Sequence, residues 1–330
     1  MPDIISLCGM QEICYALTFK IFNDMNKKFA SFFSVLIIVV FIAYIVFDTS
    51  RSEVTEKKSV RVPESDSLPE KWKISGELQV SDGSLKAVAV SPSGNIYAGG
   101  DSFVSCYTSD LRMIWSIKTS YPVTALSIFG DTIFASTVEL ILIIGTEGKI
   151  KDEWGPFEDK SYITSVTANQ KRLAYADAGN KMVVILDKEG IVKKIIGQND
   201  GQFILPSPYF DVALDAYDNL FIANTGHRRI ETRSPDGRLI STFGEPGMAA
   251  GAFCGCCNPA HFVITPNGFV TSEKGINRIK ILGNGGEFIE YVSSANKFVP
   301  SIPLDLASAD GNTIYGANPA DSKLYIFSRK

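Results

Sequence analysis

Two stretches of the chain decide its fold: DVALDAYDNLFIANTGHRRIE at residues 211–231 and AHFVITPNGFVTSEKGINRIK at residues 260–280. They align without a gap, and each holds short runs of apolar and β-branched residues separated by Asp, Asn, Pro or Gly. Runs of this kind are typical of β-strands that are joined by tight turns. Because the same unit occurs twice in succession, we expect a repeat protein built from β-strands.

A unit of four short apolar runs recurs from about residue 72 to the end of the chain. The spacing between units is roughly 36 to 49 residues, the range of β-propeller blades. The last unit, residues 304–330, supplies only three strands, whereas residues 72–81 have strand character without a unit of their own. Residues 72–81 can therefore complete the last blade and close the ring. The sequence predicts an all-β, six-bladed propeller whose blades begin near Ala87, Val123, Ile163, Asp211, Ala260 and Leu304.

Blades four and five resemble the NHL repeat, in which a glycine-containing turn leads to a strand, a loop and then Asn-x-Arg-Ile. The residues that carry the resemblance are Gly226, Arg229-Ile230, Gly275, Arg278-Ile279 and the glycine-rich connection at residues 243–253. The resemblance covers residues 72–330 and implies a six-bladed propeller of the membrane-anchored bacterial type. Some NHL propellers are metal-dependent lyases that hold their ion with several histidines, whereas others are protein-binding platforms. Since this chain has two histidines, the resemblance favours binding over lyase activity.

An apolar run precedes the repeats at residues 29–47, FASFFSVLIIVVFIAYIVF, without a charge or a proline. A helix of that length approximately spans the hydrocarbon core of a membrane. The run is apolar on every face, which argues against a buried core helix. No small-residue cleavage site follows it, which favours an uncleaved signal anchor over a signal peptide. We therefore expect one transmembrane helix before the propeller.

The charges around this run predict its orientation. Lys27 and Lys28 directly precede it, and the positive-inside tendency then puts residues 1–28 in the cytoplasm. Residues 48–71 are polar and charged and read as a tether, so the propeller at residues 72–330 is expected on the outer side of the cell membrane, periplasmic or extracellular. The sequence leaves open whether translation starts at Met1 or at Met25.

Composition and motifs exclude several classes of function. The net charge is −4 and no basic block occurs, so nucleic acid is not an expected partner. The chain has no Ser-His-Asp arrangement, no phosphate-binding glycine loop and no dinucleotide fingerprint. The hydrophobic fraction is 45%, which is sufficient for the core of a large domain.

A cluster of cysteines marks the connection between blades four and five. Cys254, Cys256 and Cys257 fall within four residues, and His261 follows them in a C-x-C-C-x3-H run. Three soft thiolate ligands and an imidazole suit Zn²⁺, Cu(I) or an iron–sulfur centre. Three other interpretations stay open. Outside the cytoplasm the cysteines can form a structural disulfide, or they can be redox-active, because a bond between the adjacent cysteines would be strained and easily reduced. They can also be ordinary packing residues.

Further candidate residues lie on the same side of the predicted propeller. The loops between the second and third strands of each blade and the connections between blades share one face, here called the upper face. Its candidate ligand-binding residues are Asn224, His227, Arg228, Glu273 and Lys274. We expect a module of the cell envelope that binds a protein or a small molecule beside the cysteines. The alternatives are a metal- or thiol-dependent redox enzyme that uses the same cluster, and a purely structural interaction domain.

Overall fold

The computed structural model describes residues 36–43, 71–198, 201–294 and 297–330. The chain divides into two units between Val62 and Pro63. In the first unit, residues 36–43 form a short helix with exposed side chains. Among the described residues, no helix is long and apolar enough to cross a membrane. The predicted span at residues 29–47 is thus not supported by a described helix, and its remaining residues, like residues 1–28 and 48–70, lie outside the described ranges.

The second unit is a six-bladed β-propeller, as predicted, because its described strands form six four-stranded antiparallel sheets. The first strand, β1 (Trp72–Gln79), belongs to the last blade. Blade one contains β2 (Leu85–Val90), β3 (Ile96–Gly100), β4 (Phe103–Tyr107) and β5 (Met113–Lys118). Blade two contains β6 (Ala125–Phe129), β7 (Thr132–Ser136), β8 (Ile141–Gly145) and β9 (Ile150–Trp154).

The remaining blades repeat the same order. Blade three contains β10 (Ile163–Ala168), β11 (Leu173–Asp177), β12 (Met182–Leu186) and β13 (Val192–Gly197). Blade four contains β14 (Val212–Leu214), β15 (Leu220–Asn224), β16 (Arg229–Arg233) and β17 (Leu239–Phe243). Blade five contains β18 (His261–Thr265), β19 (Gly268–Ser272), β20 (Ile279–Leu282) and β21 (Phe288–Ser293). Blade six contains β22 (Asp305–Ala307), β23 (Thr313–Asn318) and β24 (Lys323–Arg329), followed in space by β1.

The ring closes through β1 and β24, which confirms the predicted closure. The two strands pair antiparallel, with Trp72 opposite Arg329 and Gln79 opposite Lys323. The indole of Trp72 is 1% exposed and donates a hydrogen bond of 3.0 Å to Glu290 of blade five. The first strand of the propeller therefore contacts both the last strand and the neighbouring blade.

In the described part of the propeller, the core consists of six apolar clusters, and each of them lies between two neighbouring blades. This arrangement explains the strand patterns. The middle strands β8 (ILIIG) and β12 (MVVIL) are buried along their whole length because both of their faces pack against another blade. The outer strand β5 alternates between exposed and half-buried residues, since one of its edges faces solvent.

Two features of this fold position the candidate site. The innermost strands surround a central channel, which holds a cavity of about 170 Å³. On the upper face, the loops between second and third strands hydrogen-bond to the neighbouring blade connections. The amide of Gly226 donates to the carbonyl of Ile204 at 2.8 Å, and a Cβ at position 226 would lie 2.4 Å from that oxygen. Only glycine fits this close approach.

Candidate functional site

The cysteine loop, residues 254–259, lies on the upper face between β17 and β18. Asn258, which is 1% exposed, fastens it to blade five. Its side-chain amide donates to the carbonyl oxygens of Cys254 at 2.5 Å and Lys274 at 2.8 Å. Its side-chain oxygen accepts a hydrogen bond of 2.7 Å from the amide of Lys274. The loop thus has a fixed position relative to the loop between β19 and β20.

Blade four also contacts the cysteine loop. The guanidinium of Arg228 donates to the carbonyl of Gly255 at 3.1 Å. On the other side, the amide of Cys254 donates to a carboxylate oxygen of Glu273 at 3.3 Å. The structure therefore brings together three segments that we expected on one face. They are the cysteine loop, the loop between β15 and β16 of blade four and the loop between β19 and β20 of blade five.

The thiols of the loop differ in their surroundings. Cys254 and Cys257 are buried and Cys256 is exposed, and none of the described cysteines is in a disulfide. The Sγ atoms of Cys256 and Cys257 are 3.1 Å apart. Burial raises the pKa of the Cys254 thiol, and the negative charge of Glu273 adds to this effect. Burial also raises the pKa of the Cys257 thiol.

The four predicted metal ligands do not converge on one point. Among the described residues, no group of three or more His, Cys, Asp or Glu side chains has an arrangement that could hold a metal ion. His261 is the first residue of β18, and its Nδ1 lies 3.6 Å from a carboxyl oxygen of Asp305 and 3.9 Å from one of Asp211. The four side chains of the C-x-C-C-x3-H run therefore do not form a set of metal ligands, because β18 directs the His261 imidazole toward the carboxyl groups of Asp211 and Asp305.

Asn224 and Glu273, predicted as ligand-binding residues, are both fully buried. Asn224 donates to Glu231 at 2.9 Å and accepts a hydrogen bond from the amide of Ile204. Glu273 forms ion pairs with Arg278 at 3.0 Å and with Lys280 at 2.9 Å, and all three side chains are inaccessible to solvent. The structure therefore places Asn224 and Glu273 inside the blades, where they hold the upper loops in position.

The other predicted ligand-binding residues reach the surface. His227 is exposed in a 3-10 turn, Thr225–His227, and Arg228 follows it in the left-handed region with φ of 55°. Lys274 is half-buried, and its ammonium group lies 5.1 Å from the centre of the Tyr209 ring. A cation at that distance from an aromatic face is attracted to it.

Tyr209 is the residue of this site that the sequence patterns missed. Its ring meets the ring of His261 edge-on, with centroids 5.7 Å apart, and it carries Lys274 on its face. Burial raises the pKa of the Tyr209 phenol, and the neighbouring thiol of Cys257 adds to the shift. We call Tyr209, Cys256, Cys257, His261 and Lys274 the mouth cluster. The repeat alignment gives no signal for Tyr209, because the residue lies in the connection before β14 and outside the aligned units.

The channel below the mouth cluster carries two carboxyl groups that link blades. Asp211 of blade four accepts hydrogen bonds from Ser165 of blade three and, at 2.7 Å, from the amide of Phe262 of blade five. Asp305 of blade six accepts one of 2.9 Å from the amide of Val88 of blade one. Burial raises the pKa of Asp211 to about 6 and that of Asp305 to about 8, and it lowers the pKa of His261 to about 4.

The rim of the upper face carries large apolar side chains that are exposed to solvent. Five of them lie in five different connections between blades and the sixth lies in the second loop of blade two. Their exposed fractions run from 38% to 48%. They are Tyr121, Val138, Tyr162, Ile204, Met248 and Val299.

Comparisons with known proteins support the fold. No family model matches the sequence, and no curated protein is significantly similar to it. A solved streptogramin B lyase gives a TM-score of 0.55 and 14% identity, covering 78% of this chain and 98% of that one. A protein of unknown function from Bacteroides thetaiotaomicron gives a TM-score of 0.58 and 12% identity, covering 81% of this chain and 74% of that one. The WD40 propeller domain of Doa1 gives a TM-score of 0.54 and 13% identity, covering 76% of this chain and 81% of that one.

At these sequence identities, the comparisons show the propeller fold alone. This chain is therefore a six-bladed β-propeller with structural neighbours among several propeller types. The resemblance of blades four and five to NHL repeats is not confirmed by a family model and stays a prediction.

Proposed function

We propose that this protein is a binding module of the cell envelope, built on an NHL-type propeller, whose upper face takes a protein partner. The observation that carries the proposal is the rim of exposed apolar side chains. Aromatic residues and Met are enriched in protein interfaces, and the rim includes two tyrosines and a methionine among its six exposed apolar side chains. The mouth cluster, with a tyrosine, a lysine and an exposed thiol, supplies the polar contacts of this face.

A protein partner fits this surface better than a small molecule. Pockets for drug-sized ligands have volumes of roughly 300–1,000 Å³ and mostly apolar linings. The cavity in the channel has about 170 Å³, and a cavity of about 340 Å³ on the upper face is lined largely by the acidic residues Glu139, Glu158 and Asp159. The six apolar side chains of the rim are distributed over five connections and one loop, so a single small ligand could not cover them.

Site-specific photo-cross-linking in cells that produce the full chain tests this proposal. Ile204 on the upper face and Ile240 on the outer strand β17 are matched positions, with exposed fractions of 48% and 55%. We expect a cross-linker at position 204 to give a defined adduct that a cross-linker at position 240 does not give. Met248→Asp should reduce the adduct about fivefold or more, since the loss of an apolar anchor residue from an interface costs about 1 kcal/mol or more. Equal adducts at both positions, or none at 204, would contradict the proposal.

We extend the proposal to the location of the protein. Residues 29–47 would anchor it in the cell membrane as a single-pass protein with residues 1–28 in the cytoplasm and the propeller outside. Cys256 is exposed, so a membrane-impermeant maleimide should label it in intact cells or spheroplasts, and Cys256→Ser should lose this label. Labelling that requires lysis would place the propeller in the cytoplasm.

The second candidate function is a thiol- or metal-dependent redox enzyme. The 3.1 Å between the Sγ atoms of Cys256 and Cys257 favours its thiol form. In its metal form, Cys254, Cys256, Cys257 and His261 would hold zinc, copper or an iron–sulfur centre, although their arrangement does not converge on one ion. Elemental analysis of the full chain, purified without oxygen, separates the two forms: stoichiometric metal that is lost in Cys256→Ser supports the metal form.

A further inference from the structure

We propose that Cys256 and Cys257 are a thiol–disulfide exchange site, which reacts with low-molecular-weight disulfides and closes to a bond between the two adjacent residues. The inference deepens the thiol form of the second candidate function and rests on it, but it does not rest on the protein partner of the upper face. It begins with their geometry, since the two Sγ atoms lie 3.1 Å apart. A small approach of the sulfur atoms is enough to form a bond of about 2 Å.

The loop around the two cysteines is held from both sides. On one side, the guanidinium of Arg228 bonds to the carbonyl of Gly255. On the other side, Asn258 makes three hydrogen bonds to the backbone of Cys254 and Lys274. Because both flanks are fastened to neighbouring blades, the two thiols are kept together instead of being separated by motion of the loop.

The different burial of the two thiols assigns their roles. Cys256 is exposed, so a small disulfide can reach its sulfur atom from solvent. Cys257 is buried, so a disulfide in solution cannot reach its sulfur atom. Attack from solvent on a disulfide requires an accessible thiolate. Cys256 is therefore the attacking thiol, and Cys257 is the resolving thiol that reacts only with the neighbouring sulfur.

The reaction balances with a small disulfide as the oxidant. The thiolate of Cys256 attacks one sulfur of the small disulfide, which breaks the S–S bond, forms a mixed disulfide and releases one small thiolate. The thiolate of Cys257 then attacks the Sγ of Cys256 and releases the second small thiolate. The two protein thiols are oxidised by two electrons and the small disulfide is reduced to two thiols, which take up the two protons.

The product should be easy to reduce again. The Cα atoms of adjacent residues are 3.8 Å apart, whereas disulfides usually join Cα atoms separated by 4.4–6.8 Å. Strained disulfides of this kind have more oxidising potentials and are the labile ones. Cys254 is a poor competitor because it is buried and its Sγ lies against the carbonyl oxygen of Lys274, at 4.0 Å.

The test uses the full chain, oxidised glutathione as the probe, alkylation of the remaining thiols and mass spectrometry of the tryptic peptide 239–274. In the wild type we expect this peptide to lose two free thiols, and fragmentation to place the bond between Cys256 and Cys257. Cys257→Ser should stop at a glutathione mixed disulfide on Cys256. Cys256→Ser should leave the thiol of Cys257 free, and Cys254→Ser is the matched control that should react like the wild type.

Each other outcome overturns the proposal. A wild-type bond that includes Cys254, or a wild-type peptide that keeps its thiols, rules out the adjacent pair as the exchange site. Equal reaction of Cys256→Ser and Cys257→Ser would remove the division into attacking and resolving thiols. Thermal unfolding of the three variants shows whether each is folded, and the position of the bond in the wild type is independent of any variant.

Discussion

At the scale of single residues, the buried carboxylate occupies different aligned positions in blades four and five. In blade four, Asn224 on β15 donates to Glu231 on β16, which forms ion pairs with Arg229 and Arg233. In blade five the aligned positions carry Glu273 and Lys280, so the carboxylate has moved from the third strand to the loop end of the second. Arg278 and Lys280 both pair with it. The same buried ion-pair position is thus filled from different strands, which a motif based on one blade does not predict.

The substitution Glu273→Gln tests this buried pair. It removes the negative charge and leaves the cations of Arg278 and Lys280 buried without their counter-charge, so we expect a loss of about 3–5 kcal/mol in the free energy of unfolding. Denaturant unfolding measures this loss as a lower midpoint. Glu189→Gln, at an exposed turn, is the matched control and should stay within about 0.5 kcal/mol of the wild type. Similar midpoints for both variants would show that the pair does not support the fold.

At the scale of elements, the closing strand β1 carries one buried and one exposed large side chain close together, so substitutions can compare their contributions to stability. Trp72 is 1% exposed and Ile74, two residues along the same strand, is 45% exposed. Trp72 also bonds to Glu290, and the guanidinium of Arg329 lies 4.9 Å from the centre of its ring. Trp72 is therefore the side chain of β1 that makes contacts with both β24 and blade five.

Trp72→Ala should destabilise the propeller by about 3–5 kcal/mol, because it removes a buried aromatic side chain and leaves a cavity. Ile74→Ala, in the same strand but in contact with solvent, should change the stability by about 0.5 kcal/mol or less. Equilibrium unfolding in urea gives both values. If the two variants were equally stable, the seam between β1 and β24 would not limit the stability of the ring.

The elements of the fold could be predicted from the sequence, because four short apolar runs separated by turn residues recur in each blade. Residues 72–81 and 304–330 also predicted the closure, since a three-stranded unit and an unassigned strand complete each other. For the candidate site, the sequence predicted which loops lie close together but not the direction or burial of their side chains. The direction of His261 depends on where β18 enters the channel, and the burial of Glu273 depends on charges in an adjacent strand. Tyr209 lies in a connection, where the repeat gives little information.

At the scale of the whole molecule, the central channel makes stability depend on pH. Burial raises the pKa of Asp305 to about 8, above its ordinary value of 3.8. A carboxyl that holds its proton more tightly when folded stabilises the fold below the unfolded pKa, and this contribution is lost as pH rises through the folded pKa. His261, with a pKa lowered to about 4, acts in the opposite direction, since its contribution is lost as pH falls from 6.5 toward 4.

Asp305→Asn isolates the carboxyl, because asparagine has nearly the same size, does not ionise and can still accept the hydrogen bond from Val88. We expect the variant to gain stability relative to the wild type as pH rises from 6.5 to 9. The gain should reach about 1.4 kcal/mol or more, which corresponds to one unit of pKa difference. Unfolding in urea at each pH measures it, and a difference that does not vary with pH would mean that Asp305 titrates normally.

The pairing of β1 with β24 also sets the order of events during synthesis. The ribosome makes β1 before the other strands of the propeller, yet its partner is the last strand, which begins at Lys323. At about 5–20 residues per second, β1 emerges roughly ten seconds or more before β24. During this interval five blades can form while β1 stays unpaired. Early degradation or mispairing of residues 72–79 would therefore leave the ring open, even after the other blades have folded.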